Sequence, residues 1–393
     1  HFFAMEGPDN VPCEDEDLFV SSKDYNGPTS FAQKINAAAS LIYSKEAKHK
    51  FQALCERVQP DIVHMNLVHR QITLSILDAP YLKTHHVPVL FTSHDYILVC
   101  PSYVMLDGAS NVCDACLDGK FTNCFKRKCV KGSTAKSAMG ALEAEYLKLR
   151  KSYRKIDRII APSEFMRGKL IEGGFPTQQV VCMQNFAKQE ILDNASKATD
   201  KTSRENPYLL FFGRLSKEKG IDVLVDAFIA AIPSLPSNVR LVIAGDGPER
   251  ESIEEKIASA DSCIRSRIEL AGYQAGSALQ AYVEGASLAI ASSRWRENMP
   301  YSIVEAFAAG TPVVGARIGG IPELVANGVT GFACEPGDVA TMADAMVRGA
   351  EAFLDAPVYV RMQESCRAYV RENCSRDKFM DQLVELYEEA VNG

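Results

Sequence analysis

The stretch Tyr208-Leu-Leu-Phe-Phe-Gly-Arg-Leu-Ser-Lys-Glu-Lys-Gly-Ile-Asp-Val-Leu-Val-Asp-Ala-Phe-Ile229 runs from a short apolar segment through a glycine-marked turn into a helical period. Tyr208–Phe212 has the length of a buried strand. Ile221, Leu224, Val225, Phe228 and Ile229 then recur at i, i+3, i+4, i+7 and i+8, one face of a helix. A strand that feeds a helix through a tight turn is the repeating unit of a parallel sheet with helices on its faces.

The same alternation extends in both directions. Strands are predicted upstream at Asp61–His64, Val87–Ser93, Arg158–Ala161 and Val180–Met183, and downstream at Arg240–Ala244, Arg267–Ala271, Ser287–Ala291 and Pro312–Ala316. Between Lys188 and Pro207 lies a polar run with many turn formers. The pattern predicts a Rossmann-like domain over residues 1–190, a linker over 191–207 and a second Rossmann-like domain over 208–375. An amphipathic helix, Arg376 to Val391 within residues 376–393, is expected to pack back on the first domain.

A chain of 393 residues is long enough for two such cores. Its 47% hydrophobic content includes no apolar run long enough to span a bilayer. The start, His1-Phe-Phe-Ala-Met-Glu-Gly-Pro8, shows no basic segment followed by an apolar one, so no signal peptide is predicted and a cytosolic location is expected. A net charge of −7 argues against a nucleic-acid partner, which needs excess Lys and Arg to displace counterions.

Of the twelve cysteines, Cys113, Cys116, Cys124 and Cys129 cluster in an insertion at residues 108–130. Four thiolates at that spacing suit a closed tetrahedral zinc shell, which would be structural because no position stays open for substrate; a loop of free thiols is the alternative. After it, a helix from about Thr134 to Lys155 pairs apolar Met139, Leu142, Tyr146, Leu149 and Tyr153 with Lys136, Lys148, Arg150, Lys151, Arg154 and Lys155. Such a helix suits an anionic membrane surface, or equally a packed helix with a solvated basic face.

In open parallel sheets ligands bind beyond the carboxyl ends of the strands. There the sequence places Gly213-Arg214…Lys219-Gly220, Gly245-Asp-Gly-Pro248, Gly272-Tyr273-Gln274 and Gly319-Gly-Ile-Pro-Glu323. It also places Glu297-Asn-Met-Pro-Tyr-Ser-Ile-Val-Glu305, two carboxylates flanking the start of a helix Tyr301 to Ala309, with Pro300 read as its first residue. Fixed cations, a helix N-terminus and two carboxylates suit a ligand with a polyol, a diphosphate and a ribose. In the first domain His94, in Thr92-Ser93-His94-Asp95-Tyr96, and more weakly His64, stand at strand ends.

In order and spacing, these motifs over Tyr208 to Pro336 resemble the donor domain of family 4 retaining glycosyltransferases. The resemblance implies the GT-B fold, two Rossmann-like doubly wound domains facing across a cleft, and chemistry that needs no metal or other cofactor. It implies a nucleoside-diphosphate sugar as donor and a glycan or lipid-linked acceptor; the membrane-facing alternative for the basic helix would place the enzyme peripherally at the inner membrane face. Arg214 and Lys219 would bind the diphosphate, beside Gly213 and Tyr273. Glu305 would bind the ribose, and Glu297 and His94 the sugar. Backbone N–H groups between Asn298 and Ser302, through Met299 and Tyr301, would complete the phosphate site. Pro300 departs from the glycine of many members and has no N–H to give. Members also open with a strand, a Gly-rich loop and a helix ahead of a strand like His-Phe-Phe-Ala-Met, and the first domain is expected to lack that unit. A catalytically impaired nucleotide-sugar-binding protein with a zinc-stabilised domain is therefore the second reading, and a GT-B-like epimerase the third.

Overall fold

The computed structural model describes residues 1–22, 39–197 and 206–393. It divides into two compact units, one of His1–Ala161, Arg167–Cys182 and Leu383–Gly393, the other of Pro162–Met166 and Met183–Gln382.

The first unit holds four parallel strands, β1 Val63–Asn66, β2 Val89–Thr92, β3 Arg158–Ala161 and β4 Val180–Cys182, in that spatial order. Every residue of β2 is buried, as a strand covered on both faces requires. Helix Lys45–Val58 buries Ala47, Phe51, Leu54 and Cys55, and the Ser44 hydroxyl caps it by accepting from the Ala47 N–H. The end of helix Arg376–Asn392 belongs to this unit, where Tyr387 Oη lies 2.6 Å from His64 Nδ1. Thr92 Oγ1 holds the other ring nitrogen at 2.7 Å. Burial lowers the His64 pKa to about 4, so a neutral imidazole bridges two hydroxyls, which is a packing role.

Two sequence expectations change here. The run His1–Met5 forms no sheet strand among the described residues and makes a single bridge, Met5 to Val20, before Gly7-Pro8 breaks the ladder. The basic helix ends early, at Leu149, with Lys151 in left-handed backbone and a 3-10 turn over Ser152–Lys155. Its buried face is Ser137, Gly140, Ala141, Glu143, Ala144 and Leu147, whereas Leu142 and Leu149 are 61% and 80% exposed. Small residues allow close packing, so Leu142 and Leu149 lie off the packed face, against the packed-stripe alternative. Glu143, buried, accepts from Arg70 Nε at 2.8 Å.

The second unit is a six-stranded parallel sheet of β5 Tyr208–Phe212, β6 Arg240–Ala244, β7 Ile268–Gly272, β8 Leu288–Ala291, β9 Val313–Ala316 and β10 Gly331–Cys334. Their spatial order is β10-β9-β8-β5-β6-β7. Phe228, Met342 and Met346 pack one face of the sheet, and Ile303, Val304, Phe307 and Val370 the other. β10, Gly-Phe-Ala-Cys, lacks the β-branched run that marks a buried strand and escaped the sequence reading. Of the stretch expected as a linker, the first part continues helix Gln189–Lys197 and residues 198–205 lie outside the described residues.

Candidate active site

The order of the second sheet reverses direction between β5 and β8, whose chain paths leave toward opposite edges. The two loops that follow must part there, and the opening is where doubly wound sheets bind ligands. A cavity of about 970 Å³ occupies it. Gly213 and Arg214 line it after β5, Gly245 to Gly247 after β6, Tyr273 and Gln274 after β7, and Ser302 and Glu305 from the helix Tyr301–Ala308. The volume lies at the upper end of the roughly 300–1,000 Å³ typical of small-molecule sites. Gly245 is required by close approach, because a Cβ there would stand 1.9 Å from the Gly213 carbonyl oxygen. The loops after β5 and β6 are further joined by Leu215 N–H to Asp246 O at 2.9 Å and Glu249 N–H to Leu215 O at 3.0 Å.

Deeper in the same unit, Glu297 is 6% exposed and its Oε1 accepts three bonds. Lys219 Nζ donates at 2.6 Å, Ser293 Oγ at 2.6 Å and Trp295 Nε1 at 2.8 Å. The loop is fixed on its other side by Gly320 N–H to Glu297 O at 2.8 Å. Gly319, at φ +61°, leaves no room for a Cβ, which would lie 2.1 Å from that carbonyl oxygen. Glu323 does not face the cavity. Its carboxylate accepts from the backbone N–H groups of Glu164 and Phe165 at 3.0 and 2.7 Å.

The structure therefore brings Gly213, Arg214, Tyr273, Ser302 and Glu305 to one cavity. Lys219 and Glu297 sit together as an ion pair outside its lining. Asn298 Oδ1 accepts from Ser163 Oγ, and Met299 is buried with its Sδ against the Asn185 N–H at 3.0 Å. Tyr301 is 51% exposed. Pro300 is the N-cap rather than the first helical residue, and no side chain caps this helix, so its leading N–H groups keep no capping partner. His94 belongs to the first unit, with Nε2 2.9 Å from Asn66 Oδ1. It borders a separate cavity of about 180 Å³ with Arg70, Asp95 and Tyr103, and burial lowers its pKa. Sequence reasoning missed Lys188, Glu190 and Gln280 in the larger cavity. The first two precede or open a helix in what reads as a polar connection, and nothing local marks them.

Cys113, Cys116, Cys124 and Cys129 line one cavity of about 10 Å³, together with Cys100, which the sequence pattern left apart. All five are free thiols. Among the described residues, however, no three His, Cys, Asp or Glu side chains stand in a metal-holding arrangement, so the donor chemistry fits zinc and the present spacing does not. No described helix is long and apolar enough to cross a membrane.

Two parallel-sheet units, the second with a switch-point cavity at the carboxyl ends of its strands, define the GT-B architecture. Residues 1–188 match the model of Glycosyltransferase Family 4 and residues 206–351 that of Glycosyl transferases group 1, and the chain belongs to this family. Alpha-D-kanosaminyltransferase of Streptomyces kanamyceticus is 27% identical over 54% of this chain and 55% of its own length. Lipopolysaccharide 1,2-N-acetylglucosaminetransferase of Salmonella typhimurium is 31% identical over 44% and 48%. The chain thus spans about half the length of the curated relatives it matches. Among solved structures, Anabaena HepE in complex with UDP superposes with a TM-score of 0.62 at 19% identity, covering 87% of this chain and 82% of HepE. Sucrose-phosphate synthase of Thermosynechococcus elongatus gives 0.66 at 19% identity, covering 98% and 88%.

Burial raises the Glu305 pKa, with the nearby Lys188 charge opposing. Ionising Glu305 therefore opposes folding. That cost is absent below the ordinary glutamate value of 4.5 and grows as pH rises through the raised folded value. Glu305→Gln, which never ionises, is expected to match wild type in acid and to resist denaturant better at neutral pH. Urea unfolding at both pH values checks this, and a gain that does not depend on pH would contradict it.

Proposed function

We propose that this chain is a glycosyltransferase that moves a sugar, with retention of configuration, from a nucleoside-diphosphate sugar to a glycan or lipid-linked acceptor in cell-surface polysaccharide or glycoconjugate synthesis. The observation that carries the reading is the switch-point cavity with a cation, Arg214, and a half-buried carboxylate, Glu305, on its walls. It is supported by family membership and by neighbours of the same fold solved with UDP and with UDP-glucose.

Arg214 and Lys219, with the uncapped N–H groups of Tyr301 and Ser302, bind the diphosphate and stabilise the charge that grows on it as the sugar leaves. Glu305 binds the ribose hydroxyls, Tyr273 lies against the base and Glu297 takes sugar hydroxyls. His94 and its 180 Å³ cavity serve the acceptor side. No protein base is assigned. A front-face reaction lets an oxygen of the departing phosphate accept the acceptor's proton, so the task of the protein is to position and to stabilise charge.

Two further parts of the reading concern the first unit. Leu142, Leu149 and Phe125 are exposed, as are Lys126, Lys128, Lys136 and Lys151 in the same segment of chain, a composition suited to anionic lipid. Arg150 and Lys155 are drawn instead to Asp78. Cys113, Cys116, Cys124 and Cys129, which line one cavity, would hold a structural zinc with no part in the chemistry, and binding it requires their thiols to draw closer.

A thermal-shift screen of nucleotide sugars is expected to find at least one that raises the melting temperature. Glu305→Ala should weaken its binding on the order of tenfold to a hundredfold, the worth of hydrogen bonds to a charged group, with the fold intact. A donor that binds without ever being turned over would instead favour the binding-protein reading. Flotation with anionic but not neutral liposomes is expected, and Leu142→Ser with Leu149→Ser should abolish it. If the wild-type chain ignores anionic lipid, the membrane reading is lost. Metal analysis after purification without added zinc should find zinc bound at one site per chain, and folded, zinc-free protein would overturn that assignment.

A further inference from the structure

Trp295 is the only tryptophan in the chain, and none of the motifs read from the sequence uses it. Half-buried, its indole Nε1–H donates to Glu297 Oε1 at 2.8 Å, the oxygen that Lys219 Nζ reaches at 2.6 Å. The Lys219 ammonium also stands 5.8 Å from the centre of the Trp295 ring. One side chain therefore touches both members of the Lys219–Glu297 pair.

That pair poses a problem for any anionic ligand. If Lys219 turns its charge toward an arriving diphosphate, Glu297 is left as a buried carboxylate without its cation, a state that is strongly unfavourable unless other donors hold it. Two neutral donors already do, Trp295 Nε1 and Ser293 Oγ, both on Oε1. Neither depends on Lys219. Oε2 accepts none of these three bonds.

We propose that Trp295 is a positioning residue for the donor sugar: with Ser293 it holds the Glu297 carboxylate while Lys219 serves the diphosphate, and so presents Oε2 to the sugar hydroxyls. The proposal rests on the donor reading above. It adds a division of labour, in which loss of the indole N–H weakens recognition of the sugar and spares recognition of the diphosphate.

Trp295→Phe keeps a ring beneath Lys219 and deletes only the donor. Calorimetric titration compares wild type and variant with two probes, the nucleotide sugar that most raises the wild-type melting temperature and the nucleoside diphosphate of the same base. The expected result is unchanged affinity for the nucleoside diphosphate and a loss on the order of tenfold to a hundredfold for the nucleotide sugar. A general loosening of the loop would weaken both alike, and that outcome, or no change in either, overturns the proposal. Wild-type fluorescence supplies a second test that needs no variant. Its single tryptophan should respond more to the nucleotide sugar than to the nucleoside diphosphate, and equal responses also overturn the assignment. A wild-type chain that binds no nucleotide sugar removes the donor reading itself, and this proposal with it.

Discussion

The reversal of strand order at β5 and β8 is the constraint on which the rest of the second unit depends. Right-handed crossovers carry the chain to one edge from β5 and to the other from β8, so two neighbouring strands send their following loops apart. An opening at their carboxyl ends is then unavoidable. The cavity, the uncapped helix Tyr301–Ala308 and the loop bearing Glu297 all follow from it. What the amino acids add is the chemistry of the opening and the closeness of its walls.

That closeness comes from backbone packed against backbone. Gly245 lets the β6 loop sit against the Gly213 carbonyl, and Gly319 lets its loop sit against Glu297. Glycine at these places is a requirement of space, and any side chain there would push the loops, and the polar groups they carry, out of position. A wall built this way is stiff, as befits groups whose value lies in being held before the ligand arrives. Glu305 shows the cost of such preparation. Its burial opposes ionisation, with only the Lys188 charge opposing in turn.

Much of this was legible in the sequence because period and punctuation are local. Tyr208–Phe212 and its helix could be read from spacing alone, and the strands β6 and β8 fall within a residue of where the apolar runs place them. β10 was not legible, since four residues with a leading glycine carry no strand signal of their own and depend on β9 for pairing. The buried face of helix Thr134–Leu149 was not legible because small residues, Ser137, Gly140, Ala141 and Ala144, make most of it beside Leu147 and Glu143. Lys188 and Glu190 belong to the cavity through tertiary placement, which no short window records. The link from Trp295 to Glu297 is two residues long in sequence, yet its meaning depends on Lys219, seventy-six residues from the tryptophan, and only the fold brings that ammonium to the ring.

The charge of the chain also finds its place in this arrangement. A net charge of −7 disfavours a diphosphate at long range, and salt screens exposed charges beyond about 8–10 Å. Attraction must therefore be local. Arg214 and Lys188 line the cavity against Glu190, Asp246, Glu284 and Glu305, so its walls carry no excess of positive charge. Another cation, Lys219, lies outside that lining and pairs with Glu297 at 2.6 Å. An anion that draws Lys219 away finds a carboxylate still bound by two neutral donors, and the site gains a positive group only when there is a negative ligand to meet it. Under the proposed donor reading the ion pair is the resting form of the site, and diphosphate binding exchanges the Lys219 contact while Ser293 and Trp295 keep the Glu297 carboxylate in place.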